Sequence, residues 1–200
     1  VRVERLAESV QILRALLAGE ECTFGGRYYQ LHGHQLPAPV QKPGIPLLIG
    51  GNGPRLHRLA ATDADIVGFV GFSHRQGGEA VDLADMSPAA LDRQVAQVRE
   101  AAGERSPELN ALVQLVAVTE NRHRTAEELA ARERVDADTL LTSPYILIGS
   151  TDSIIEQLLA RRERFGISYW VAFERRGGRE LAPVVERLAG TAAGSQNREA

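Results

Sequence analysis

An α/β fold with parallel strands buried between helices is what this sequence predicts, and three observations carry that prediction. Four runs are apolar without alternation: Ile45 to Ile49, Ile66 to Phe72, Leu109 to Val118 and Ile167 to Phe173. The segments between them show apolar residues at helical spacing. Gly, Pro or a capping Ser/Thr stands at most of the junctions. A strand apolar on both faces must be covered on both, which is what βαβ crossovers achieve. The chain has 200 residues, 44% of them hydrophobic, enough for one sizeable core and too many for disorder. No apolar run approaches the ~18 residues that span a bilayer. A single cysteine, Cys22, excludes a disulfide framework and a Cys-rich metal cluster. With 23 basic against 26 acidic residues the net charge is −3, so there is no electrostatic case for nucleic acid or an anionic membrane. All the basic residues but Lys42 are Arg, a skew that reflects genome composition rather than function.

The elements follow in order. Leu6, Val10, Leu13 and Leu17 recur at helical spacing between Arg2 and Ala18 and should form a buried stripe, with Gly19 placed to stop the helix. Cys22-Thr23-Phe24, the turn Gly25-Gly26 and Tyr28 to Leu31 suit a short hairpin. Pro37, Pro39, Pro43 and Pro46 keep the next stretch extended. The first apolar strand then turns through Gly50-Gly51-Asn52-Gly53-Pro54 into a helix marked by Leu56, Leu59 and Ala60. After the second strand a polar loop runs from Ser73 to Asp85. Ser87-Pro88 supplies an N-cap and a first-turn Pro for a helix whose buried stripe is Leu91, Val95 and Val98. Beyond the third strand, Thr125-x-x-Glu128 has the form of a capping box. Pro144 to Gly149 is a short apolar stretch, followed by a helix capped by Ser150 or Thr151 and stopped at Gly166. The fourth strand precedes a last helix, Glu180 to Leu188, and the polar tail from Gly190 to Ala200 is expected to fray. Because the chain begins Val1-Arg2-Val3 and is helical at once, a piece of something longer is expected.

One loop carries chemistry. Glycines at 50, 51 and 53 let the backbone approach a ligand, and the helix that starts at Pro54 points free N–H groups and its positive dipole end into the same space. Arg55 adds a cation on the first turn and Asn52 an amide donor. A P-loop would need Lys-Ser/Thr, and a dinucleotide fingerprint would need Gly where Leu56 stands, so neither motif applies. On residue chemistry alone the loop is a phosphate cradle or a plain strand-to-helix turn. His32-Gly33-His34 lacks a third metal ligand at sensible spacing, so no metal is expected. His57 suits a surface or internally bonded histidine, His74 and His123 suit exposed loops, and Cys22 suits a small hairpin hydrophobe. Glu20-Glu21 and Glu174-Arg175-Arg176 are solvated charge, and no Ser-His-Asp or Gly-x-Ser-x-Gly pattern is present.

Several longer phrases resemble one known family. They are Glu8-Ser9-Val10-Gln11-Ile12-Leu13-Arg14-Ala15-Leu16-Leu17, Phe24-Gly25-Gly26-x-Tyr28-Tyr29, and Pro46-Leu47-Leu48-Ile49-Gly50-Gly51. Leu56-x-x-Leu59-Ala60-Ala61, Ala64-Asp65, Arg99-x-Ala101-Ala102-Gly103 and Leu147-Ile148-Gly149-Ser150-x-Asp152 continue the likeness. In this order they are similar to the bacterial luciferase-like monooxygenase superfamily. Ser143-Pro144-Tyr145 and Arg164-Phe165-Gly166 are most similar to its coenzyme F420-dependent oxidoreductase branch.

That resemblance implies a (β/α)8 TIM barrel of the bacterial luciferase type, with only about the last four βα units in this chain. Residues 1–189 would be the C-terminal part of the barrel domain and residues 190–200 a flexible tail. It implies hydride transfer to or from a small organic substrate by F420, or alternatively FMN-dependent monooxygenation. The loop would hold the cofactor phosphate through Gly50, Gly51, Asn52 and Gly53, with Arg55 beside them. The ring contacts and proton-transferring groups of the family come mostly from strands before this chain, so no catalytic residue is nominated. A homodimer when full length, in the cytoplasm, is also expected. Two readings from other classes compete: a non-catalytic phosphate- or nucleotide-binding half-barrel, and a sugar-phosphate isomerase-like barrel, against which Phe72 and Phe173 at strand ends argue. Four strands cannot close a barrel, so the isolated chain should associate through the Ile45 and Ile167 strand edges.

Overall fold

In the computed structural model, which describes residues 1–42, 44–74, 81–82 and 84–191, the chain opens with helix α1 (Arg2–Leu17). The helix ends where Glu20 N–H donates back to Ala15 O at 3.0 Å. The hairpin follows as β1 (Cys22–Gly25) and β2 (Gln30–His34), then β3 (Leu48–Gly50), α2 (Pro54–Asp63) and β4 (Ile66–Phe69). Two short strands, β5 (Ser73–His74) and β6 (Val81–Asp82), pair antiparallel and lead to α3 (Pro88–Ala102). The rest is β7 (Glu108–Val113), β8 (Leu115–Val118), α4 (Arg122–Glu133), α5 (Ala137–Thr142), β9 (Ile146–Gly149), α6 (Thr151–Phe165), β10 (Tyr169–Ala172) and α7 (Ala182–Leu188). No helix among the described residues is long and apolar enough to cross a membrane. Pro43, most of the polar loop and the tail from residue 192 lie outside the described residues.

The chain divides into two compact units: residues 1–68 with 94–108, and residues 69–93 with those from 109 onward. In the first, β3 and β4 are parallel, with Leu48 opposite Ile66, Ile49 opposite Val67 and Gly50 opposite Gly68. Asp65 ties this pair to α1: its carboxylate accepts Leu47 N–H at 2.7 Å and meets Arg14 Nη1 at 2.8 Å, while Arg14 Nη2 donates to Asp63 O at 2.8 Å. Burial raises the Asp65 carboxyl, but the Arg14 and Leu47 hydrogen bonds outweigh it and hold the group below its ordinary value. Arg105 reaches back to the carbonyls of Ala61, Thr62 and Ala64 at the end of α2. The buried residues of α1 are Val10 and Ile12, whereas Leu13 is 42% exposed, so the expected stripe is displaced. The helix packs on α2 and β1, and spacing alone does not say which flank meets a partner.

The hairpin turn of this unit is held from outside itself. Glu8 of α1 accepts the backbone N–H groups of Arg27, Tyr28 and Tyr29 at 2.8, 2.9 and 3.0 Å. Desolvation raises the Glu8 carboxyl, yet those three amides outweigh it and leave the group below its ordinary value of 4.5. A carboxylate with a lowered folded value stabilises the fold above its unfolded value, and that support is lost as pH falls through the folded value. Amide exchange at Arg27, Tyr28 and Tyr29 is therefore expected to gain an acid-side acceleration below about pH 4.5 that a Glu8→Gln variant lacks. Matching pH profiles in the two proteins would show that Glu8 does not hold the turn.

In the second unit two parallel pairs form, β7 with β10 and β8 with β9. The expected third strand is thus two strands, broken at Gln114. Its N–H donates to Tyr145 O at 2.7 Å and its Nε2 to Val70 O at 2.8 Å, which diverts the ladder. The Ile146–Gly149 stretch is a strand in its own right, paired from Leu115↔Ile146 to Val118↔Gly149. The core gathers Val113, Val116, Leu147, Ile154, Ile155 and Val184. Ser87 caps α3 as expected, its Oγ accepting Ala90 N–H at 3.2 Å. The capping box at Thr125 does not form. Helix α4 starts a turn earlier, so Thr125 lies inside it and bonds Thr119 Oγ1 at 3.0 Å, while Glu128 pairs with Arg124 at 2.9 Å. For the same reason His123 is exposed on a helix rather than in a loop.

Candidate cofactor site

The geometry of the β3–α2 turn follows from three glycines. Gly50 faces Gly68 across the parallel ladder, where a Cβ would lie 3.5 Å from Gly68 O, and Gly51 N–H extends the ladder to that same oxygen at 3.0 Å. Gly51 has φ 144° and Gly53 φ 104°, values that L side chains rarely adopt. A Cβ on Gly51 would sit 2.5 Å from Leu56 Cδ2, because Leu56 folds back beneath the loop. At Gly53 a Cβ would meet nothing within 4 Å, so that position demands its φ and opens onto free space.

Helix α2 begins behind this loop with Gly53 as N-cap, Pro54 at the first position, no side-chain cap and no acidic residue in its first turn. The positive end of its dipole is left to whatever occupies the space in front. His57 fixes the loop from below: it is 2% exposed, and its Nε2 lies 3.0 Å from Gly51 O. Of the two readings of His57, internal bonding is what the structure shows. Asn52 is half-buried in the loop and Arg55 is exposed. Glu4 is held low first by the Tyr28 hydroxyl and then by the N-terminal ammonium, Arg27 and Arg55, so Arg55 also faces the start of α1.

The β9–α6 turn shows what a self-satisfied version looks like. Gly149 has φ 146°, nearly the value at Gly51. There, however, Ser150 Oγ accepts Ser153 N–H at 3.3 Å, and Gln157 Nε2 donates to Ile148 O at 3.0 Å and Ser153 Oγ at 3.2 Å. Asp152 sits in the first turn of α6. The same backbone shape is therefore capped by its own side chains at β9–α6, whereas α2 carries no side-chain cap bond at β3–α2.

The predicted residues Gly50, Gly51, Asn52, Gly53 and Arg55 fall together on one turn. The residues that shape it from behind, Leu56 and His57, were not assigned to it by sequence. Their signal was present, since His57, Ala60, Ala61 and Ala64 recur at helical spacing and all are buried. Among the described residues no group of three His, Cys, Asp or Glu is placed to hold a metal.

Residues 1–169 match the family model described as luciferase-like monooxygenase. The chain belongs to that family. An F420-dependent glucose-6-phosphate dehydrogenase of Mycobacterium leprae (strain Br4923) is 34% identical over 100 residues, which is 50% of this chain and 28% of that protein. The solved structure of an F420-dependent secondary alcohol dehydrogenase, in complex with an F420-acetone adduct, superposes with a TM-score of 0.64 at 19% identity, covering 86% of this chain and 56% of that one. A monooxygenase from Streptomyces bottropensis superposes at 0.58 with 20% identity, over 84% of this chain and 53% of that one. The fold is therefore that of the luciferase-like TIM-barrel enzymes, and the chain spans roughly half the length of the solved structures it matches.

Proposed function

We propose that this chain is the cofactor-phosphate-holding part of a luciferase-like oxidoreductase that uses coenzyme F420. The single observation that carries the reading is the β3–α2 turn, a glycine loop leading into a ten-residue helix with no side-chain cap and no acidic residue in its first turn. Backbone N–H groups of Gly53 and Arg55 would hold a phosphate, the Asn52 amide and Arg55 guanidinium would add donors, and His57 would keep the Gly51 carbonyl turned away. When bound, the deazaflavin supplies hydride transfer at its ring, and this chain supplies orientation and anion neutralisation. The F420-dependent relatives in this family support that cofactor, and a small organic molecule is the expected substrate. The same reading carries a cytoplasmic homodimer for the complete protein.

A second reading, FMN-dependent monooxygenation, is favoured by the monooxygenase neighbour. The loop does not distinguish the two, since both cofactors present a phosphate. Titrating the complete protein with F420 and FMN separately, by fluorescence or calorimetry, decides between them. F420 is expected to bind more tightly. Binding of neither below about 1 mM would remove the cofactor assignment altogether and leave a non-catalytic fold relative.

A further inference from the structure

A cleft of about 220 Å³ in the second unit lies between α6 and the α5–β9 turn, walled by Pro88, Leu141, Pro144 and Phe165. Three arginines, Arg122, Arg161 and Arg164, line it. Arg164 is already paired, bidentate, with Asp92 at 2.6 and 3.2 Å. The other two have no carboxylate partner among the described residues.

Arg161 is 9% exposed. Its Nη2 donates to Ser143 O at 3.2 Å, Ile146 O at 2.8 Å and Gln157 Oε1 at 3.3 Å, and the group lies 5.9 Å from the Trp170 ring centroid. Its Nη1 is buried with no hydrogen-bond partner, as is Nε of Arg122, whose Nη2 donates to Leu141 O at 2.8 Å. Burial first, and then the nearby Arg122 charge, push Arg161 down to about 10, still protonated at neutral pH. A buried cation beside a second cation, with donors unspent and no anion facing either among the described residues, is costly unless something negative completes it.

We propose that this cleft is a binding site for a small oxyanion, held by Arg161 and Arg122. It shares no residue with the Gly50–Gly53 loop and does not depend on the cofactor reading. Guanidinium forks match phosphate and carboxylate oxygens equally well, so the probes separate the sources.

The test is a titration of the complete protein with inorganic phosphate and, separately, acetate at fixed ionic strength, read by calorimetry and by the melting temperature. Saturable binding of one probe with a rise in melting temperature is expected. Arg161→Met and Arg122→Met should each weaken it about tenfold or more, and Gly51→Asp should leave it in place. If Arg161→Met does not fold, the half-buried Arg122→Met decides. Absence of binding with both probes, or binding unchanged in the arginine variants and lost in Gly51→Asp, would overturn the proposal.

Discussion

Gly51→Asp is expected to weaken binding of F420 or FMN to the complete protein about a hundredfold, because the new carboxylate brings a negative charge close to the phosphate and like charges brought together cost several kcal/mol. Two effects add. The backbone at φ 144° disfavours any L side chain, and the Cβ meets Leu56 Cδ2, so the loop must also shift its amides. Asn52→Asp separates them: it keeps the backbone, exchanges the amide donor for a charge, and is expected to lose about tenfold in affinity. Cofactor titration of the three proteins, with melting curves to confirm folding, makes the measurement. Unchanged affinity in both variants would reduce the loop to a strand-to-helix turn.

Leu147→Ala is expected to cost about 3–4 kcal/mol of stability, within the range for a large-to-small change in a closed core. Leu147 is fully buried on β9, among Val113, Val116, Ile154, Ile155 and Val184. The β8–β9 ladder on one side and α6 on the other leave little room for the site to collapse around the missing atoms. Leu147→Met keeps most of the volume and should cost less than about 1.5 kcal/mol. Urea unfolding of the complete protein gives both values. A Leu147→Ala cost below about 1 kcal/mol would mean that this cluster is not the centre of the second unit's core.

Much of the fold was legible because it is local. Apolar runs, Ser87-Pro88, Ser150 and Gly166 each act within a few residues, and α3 and α6 start and stop where those residues put them. The candidate loop was legible for the same reason, since glycines at 50, 51 and 53 have a short list of uses. The misread parts are those where a distant partner wins. Gln114 splits the third run through bonds to Val70 and Tyr145. Thr125 lost its cap role because α4 starts at Arg122, beyond what spacing reveals.

The strand faces show a further limit of pattern reading. Tyr169 and Val171 of β10 are 39% and 38% exposed, and Leu48 of β3 is 46% exposed, although their apolar runs imply cover on both sides. A sequence states what a strand needs, not whether the residues present provide it.

The amino-acid order alone therefore set the α/β alternation, the ends of α3 and α6 and the glycine turn, since each is decided by sterics and hydrogen bonds within one or two turns of chain. Tertiary contact decided which faces are buried, how Glu8 reaches the hairpin amides 19 to 21 residues away, how Arg14 finds Asp65, and that Arg161 is sealed in with its Nη1 unpartnered among the described residues. Those outcomes depend on charge, burial and distance between residues far apart in the chain, and only folding brings them together.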